Sequence, residues 1–267
     1  MFGFGFGFGF KSYGSASENL LLDTYSGAAA AYSLRKLKST TTNVVRVRRS
    51  SDNAELDFTA AQITDGTLTT WTGANDGFVT TIYDQASSNN MTQTTASLQG
   101  QIVSSGSVIT LGGKPCIIRS SDNDGGYIST YAPNDGATVK GLFYVGDNNS
   151  KSCILLGSAT GAQDYNLNSQ NGIIGVSRNN VTITSSKING ANNDPLTRQA
   201  SFDSTDLHFL LYQEVEFSFG NNLLGLGYRR SSPINLGMYT FQEMVIFGNT
   251  TDAVAKENNI NTNYSIY

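Results

Sequence analysis

Hydrophobic and polar residues alternate in short runs along most of the chain, with glycine- and asparagine-rich breaks between the runs. A period of two marks a strand with one buried face. It predicts strands at residues 44–49, 55–58, 78–83, 101–104, 116–119, 127–131 and 139–145, and again at 153–156, 173–177, 181–185, 207–219, 223–228 and 241–247. Turn signals separate nearly all of them: Asp76-Gly77, Asp124-Gly125-Gly126, Asp135-Gly136, Asn171-Gly172, Asn179-Asn180 and Asn189-Gly190. Short strands in such number imply a mostly β protein built as a sandwich.

Three stretches depart from that period. Residues 20–38 carry Ala28 to Ala31, Leu34 and Leu37 beside Arg35, Lys36 and Lys38, which predicts one amphipathic helix near the N-terminus. Residues 251–260 open with Thr251-Asp252 as a cap and carry Ala253, Val254 and Ile260, which predicts a closing helix. The first ten residues alternate Gly with Phe2, Phe4, Phe6, Phe8 and Phe10, so an extended chain would place all five rings on one side. Burying them contributes roughly 8–15 kcal/mol, and ordering so glycine-rich a segment costs about 10–20 kcal/mol. The segment therefore needs a receptor, and the expectation is an anchor arm and linker at 1–19 ahead of a sandwich domain at 20–267. Arg-Ser-Ser-Asp-Asn occurs at 49–53 and at 119–123 with different flanks, as two similar exits from strand to turn.

Composition narrows the partners. Charged residues are 14 % of the 267, the formal net charge is -4, and Ser, Thr and Asn make up about 31 %. A surface polar yet weakly charged does not suit a nucleic-acid binder, which needs a Lys/Arg surplus. Arg46, Arg48 and Arg49 alternate with Val45 and Val47 as a half-buried strand does, so a solvated strand face is expected there. No apolar run is long enough to span a bilayer, and Lys11 follows the apolar N-terminal stretch instead of preceding it, unlike a secretion signal. Cys116 and Cys153 lie far outside zinc or redox spacing, and a disulfide between them is compatible with the sequence but not required. The single histidine, His208, sits in an apolar strand and is read as structural.

Two blocks have a recognisable order: Ala31-Tyr32-Ser33-Leu34-Arg35 leading to Val45-Arg46-Val47-Arg48-Arg49-Ser50-Ser51-Asp52-Asn53, then Asp76-Gly77-Phe78-Val79-Thr80-Thr81-Ile82-Tyr83-Asp84-Gln85. They resemble the start of the catalytic domain of B-type α-L-arabinofuranosidases. The chain is also similar to the concanavalin-type (LamG-like) jelly-roll modules of tailed-bacteriophage virion proteins, including a terminal strand and helix like Glu243-Met244-Val245-Ile246-Phe247 through Asn258 to Thr262. The similarity covers residues 28–93 and the last thirty; between them only strand texture matches. It implies a concanavalin-like jelly-roll. The fungal enzymes carry a vicinal cysteine pair in the substrate pocket, which this chain lacks; Asp164-Tyr165-Asn166 is faintly similar to the segment after that pair.

For chemistry, Glu214 and Glu216 are two apart on a predicted strand and so share a face about 7 Å apart, from which glycosidase spacing is reachable. Asp84 is expected to fix a turn. For sugar contact the candidates are Trp71, Tyr83 and Tyr131, because aromatic faces stack on sugar rings. Asp122, Asn123 and Asp124, or Asp147, Asn148 and Asn149, could offer oxygens to calcium, but neither follows a known loop spacing and Asx-rich turns explain both. No metal or cofactor is expected. The leading expectation is a non-enzymatic virion component, a head or tail fibre or decoration protein, held to other virion proteins by its Phe-Gly arm and displaying the jelly-roll toward host surface glycans. The alternative is a glycoside hydrolase of arabinofuranosidase type acting on host polysaccharide.

Overall fold

The computed structural model describes residues 19–119, 126–132, 139–147, 153–158, 165–170, 173–178, 181–193, 200–201, 208–217, 223–227 and 240–267. The strands are β1 (Ala28–Ser33), β2 (Val45–Arg49), β3 (Glu55–Phe58), β4 (Gly77–Ile82), β5 (Met91–Thr92), β6 (Gln101–Ser104), β7 (Ser107–Val108), β8 (Thr110–Leu111), β9 (Lys114–Pro115), β10 (Ile117–Ile118) and β11 (Tyr127–Ser129). They continue with β12 (Lys140–Asp147), β13 (Cys153–Ser158), β14 (Tyr165–Gln170), β15 (Ile173–Arg178), β16 (Val181–Ile188), β17 (Ala191–Asn193), β18 (Ala200–Ser201), β19 (His208–Phe217), β20 (Leu224–Leu226) and β21 (Thr240–Phe247). The helices are α1 (Leu21–Thr24), α2 (Ala60–Thr64), α3 (Thr67–Thr72) and α4 (Ala253–Tyr264).

All ladders are antiparallel and form a β-sandwich. One layer runs β17, β16, β19, β12, β21, β1, with Tyr144 opposite both Met244 and Leu211, and Tyr32 opposite Met244 on the other side of β21. The facing layer has β2 between β3 and β4; β4 pairs with β5 at one end and β6 at the other, and β5 leads on through β11 and β20 to β13, β14 and β15. β10 joins β6 to the Thr240 end of β21, tying the layers together.

The alternation read from the sequence feeds two cores. Phe209, Leu211, Val215 and Phe217 of β19 face the inside of the sandwich with Val45, Val47, Phe58, Val79 and Ile82, whereas Leu210 and Tyr212 point outward among Phe143, Val145, Val245 and Phe247. That outer face is covered by α4 and α1: Ile260 and Tyr264, four apart on α4, pack beside Leu21 and Leu22. Each fully buried side chain of this size contributes about 1.5–3 kcal/mol, so the second core is a large part of what holds the terminal helix.

The N-terminal helix is much shorter than its sequence suggests. Only Leu21–Thr24 is helical, and residues 28–33 form β1. The alanine run favours a helix by propensity, but as a strand Ala30 and Tyr32 enter the inner core while Ala31 enters the outer one, and burial on both faces outweighs a few tenths of a kcal/mol per residue. The closing helix starts two residues later and runs four further than predicted. Its N-cap, Asp252, has φ +55° and makes no side-chain cap, so Thr251-Asp252 does not cap it as expected. An Asx turn precedes the helix: Asn249 Oδ1 accepts from Thr251 N at 3.0 Å.

Candidate functional site

A cleft of about 520 Å³, a volume suited to a small ligand, opens where the loop from β1 to β2 meets the loop after β4. Lys38, Thr40, Thr41, Thr42 and Asn43 line one wall, Tyr83 to Ser88 and Asn90 the other, and Asp57 of β3 closes the end.

The first wall is clamped from below. Gln85 Oε1 accepts from Leu37 N at 2.7 Å while its Nε2 donates to the carbonyls of Ser33 and Arg35, and the Asp23 carboxylate accepts from the amide and hydroxyl of Ser39. The second wall is organised by Asp84. Its Oδ1 accepts from Ala31 N and Ala86 N, both at 2.9 Å, and its Oδ2 from the Ser87 hydroxyl and from Asn89 N at 3.2 Å. Both oxygens of this buried carboxylate are thus engaged by the chain, and Asp84 shapes the loop. The same loop is tied to the core by Tyr32, whose hydroxyl meets Ser129 Oγ and the Asn89 carbonyl.

Asp57 is differently placed. Tyr83 donates its hydroxyl to Asp57 Oδ1 at 2.8 Å, and Arg46 Nη1 stands 3.6 Å from the same oxygen. Arg46 Nε pairs with Glu55 at 3.0 Å, so the arginine bridges two acids on the neighbouring strand. Burial, followed by the hydrogen bond and charge of Asp57, pushes the Tyr83 phenol up from its ordinary value, and Arg46 partly opposes this. Asp57 carries no motif; the β2–β3 register, with Arg46 opposite Asp57, brings it to the cleft.

Of the aromatic candidates, Tyr83 lines the cleft. Trp71 lies on α3, edge-on to Phe58 at 5.4 Å with the Arg49 guanidinium over its ring at 4.9 Å. Tyr131 packs partly buried against the inner core, and its amide and carbonyl bond Ser129 and Leu224. Glu214 and Glu216 share a face of β19, the same face as Leu210 and Tyr212, which looks outward; Glu214 accepts from the Tyr212 hydroxyl at 2.9 Å. Phe2, Phe4, Phe6, Phe8 and Phe10 lie outside the described residues, as do Asp122, Asn123, Asp124, Asn148 and Asn149 of the calcium alternatives. Cys116 is a free buried thiol, so no disulfide joins it to Cys153. Arg46, Arg48 and Arg49 are taken up by Glu55, Asp57, Gln99, Asn53 and Asp52. Among the described residues no three His, Cys, Asp or Glu side chains converge as metal ligands, and no helix is long and apolar enough to cross a membrane.

This geometry is a jelly-roll-type sandwich with a polar cleft on one rim. No protein-family model and no curated protein matches the chain. Solved structures share the fold. One is a GH54 α-L-arabinofuranosidase mutant soaked with 4-nitrophenyl α-L-arabinofuranoside, with TM-score 0.61, 16 % identity, and coverage of 92 % of this chain and 63 % of that one. A second is a GH54 enzyme soaked with a cyclic sulfate inhibitor, with TM-score 0.59 at the same identity and coverage. A third is an arabinofuranosidase complexed with arabinofuranosyl-α-1,2-xylobiose, with TM-score 0.56, 16 % identity, and coverage of 90 % and 64 %. The chain spans less than two thirds of the length of each. These matches correct the expectation of a non-enzymatic virion component: the matched structures are arabinofuranosidases, and a phage jelly-roll module is not among them.

Proposed function

We propose that the chain is a glycoside hydrolase of α-L-arabinofuranosidase type, taking an arabinofuranosyl unit into the cleft between residues 38–43 and 83–90. The observation that carries this reading is the cleft wall: Thr40, Thr41, Thr42, Asn43, Ser87, Ser88 and Asn90, all with hydroxyl or amide side chains, line it together with Asp57 and Tyr83. Such a lining matches the hydroxyl-dense surface of a furanose. The fold it shares with arabinofuranosidases supports the same substrate class. Within the cleft Asp57 is the carboxylate placed for proton transfer or attack, since the contacts seen on it fall on Oδ1, whereas Asp84 is occupied on both oxygens.

The test is turnover of 4-nitrophenyl α-L-arabinofuranoside and of arabinofuranosyl xylo-oligosaccharides by the full chain. Release of 4-nitrophenol, reduced by about a hundredfold or more in Asp57→Asn, is the expected result. Release indifferent to Asp57→Asn would move the chemistry away from this cleft, and no release from either substrate would overturn the hydrolase reading.

A further inference from the structure

The cleft acid is held by two side chains of unequal character, and we infer that Tyr83 and Arg46 are positioning residues that fix the Asp57 carboxylate by the same oxygen, leaving Oδ2 to face a ligand. The inference rests on the reading of the cleft as a glycosidase site and adds to it the device that aims its acid.

The geometry is specific. Asp57 sits on β3, an outer strand, and is half-buried; an aspartate so placed would ordinarily sample several rotamers. Here Oδ1 receives the Tyr83 hydroxyl at 2.8 Å from β4's C-terminal end and faces Arg46 Nη1 at 3.6 Å from β2. Two chain segments therefore converge on one oxygen of a third. Arg46 also stands beside Glu55, its Nε 3.0 Å from that carboxylate in a half-exposed ion pair, and Glu55 is approached by Thr80 Oγ1 at 3.5 Å. Tyr83 is fixed at its backbone too: Tyr83 N donates to the Val44 carbonyl at 2.9 Å. A carboxylate with one oxygen restrained in this way presents the other in a fixed direction, which is what proton transfer to a glycosidic oxygen or from an attacking water requires.

Asp57 and Arg46 act on Tyr83 in opposite senses. Asp57 raises the phenol and Arg46 lowers it, so the coupling is readable in the tyrosine itself, independently of any turnover. The experiment is an NMR titration of the full chain labelled with ¹³C at the tyrosine ring carbon bearing oxygen. The Tyr83 resonance, assigned by its loss in Tyr83→Phe, is followed in wild type, Asp57→Asn and Arg46→Gln. Asp57→Asn should bring the Tyr83 titration down toward ordinary tyrosine, and Arg46→Gln should move it further up. With an arabinofuranoside substrate, Tyr83→Phe should lose on the order of tenfold to a hundredfold in kcat, with KM changing much less, and Arg46→Lys should recover part of what Arg46→Gln loses.

A Tyr83 resonance indifferent to Asp57→Asn would overturn the inference, as would a Tyr83→Phe defect confined to KM. Coupling in the spectra with no turnover of arabinofuranosides would retain the restrained carboxylate and remove the hydrolase reading. Turnover without coupling would do the reverse.

Discussion

Arg35 lays its Nε and Nη2 against the carboxylate of Glu243, at 2.7 and 3.0 Å, and Glu243 has no solvent exposure. Ser33 donates to the same carboxylate at 2.8 Å and the Tyr264 hydroxyl at 3.2 Å, so β1, β21 and α4 meet on one buried anion. The tyrosine responds: burial first and the Glu243 charge second push its phenol well above the ordinary value. Removing one partner of such a pair leaves the other buried and uncompensated. Arg35→Ala should therefore cost about 3–5 kcal/mol, whereas joint replacement of Arg35 and Glu243 by apolar residues should cost much less. Guanidinium unfolding midpoints of both single variants and the double variant decide this; a double loss equal to the sum of the single losses would show that the pair is not coupled.

Asp84 supports the cleft without being free to act in it. Asp84→Ala would strand Ala31 N and Ala86 N along with the Ser87 hydroxyl, groups that depend on its oxygens. We expect a loss of about 2–4 kcal/mol together with loss of ligand binding, because hydrogen bonds to a charged acceptor are each worth about 1.5–3 kcal/mol and the orphaned donors can regain water only in part. A variant of wild-type stability in thermal unfolding would contradict the structural role.

His208 gives stability a pH dependence. Burial pushes its imidazole below the ordinary 6.5, so just below that pH the folded chain binds fewer protons at this site than the unfolded chain does. Stability should fall as pH drops through 6.5 and level off once the folded imidazole is itself protonated. Urea midpoints taken in steps across this range should show the fall in wild type and a flatter curve in His208→Gln; superimposable curves would exclude the histidine as the source.

Cys116 should be chemically silent in the folded protein. Burial, and after it the nearby Asp147 charge, push the thiol up to about 12, and its side chain is almost wholly enclosed. In a Cys153→Ser background, a thiol reagent should label Cys116 at the rate of unfolding. Rapid labelling under native conditions would place the thiol at an accessible surface.

Much of the fold was legible because its strands are short runs, several of them alternating, set off by turn residues. Residues 55–58 and 101–104 are strands with the boundaries read from the sequence, and β19 and β21 differ from their sequence readings by at most two residues at either end. The misreading of residues 28–38 arose where both faces are buried: alternation vanishes when Ala30 and Ala31 are equally enclosed, and a run of alanines then looks helical. α2 and α3 are too short for a periodic signal, although α2 opens with a Thr59–Gln62 capping box that could have marked it. Of the cleft, Tyr83 and Asp84 stood in a recognisable block. Asp57 did not, because its relation to Tyr83 is made by strand register across 26 residues of chain and by no local pattern.

The pairing of β1 with β21 joins segments more than two hundred residues apart, with Ser33 opposite Glu243. A contact of that sequence separation carries a large loop-closure entropy and forms late. During synthesis β1 has no β21 to receive it until more than two hundred further residues have been made, and the outer face stays bare until α4 follows. Through that interval the nascent protein carries an unpaired, alanine-rich edge, open to misassociation with other chains.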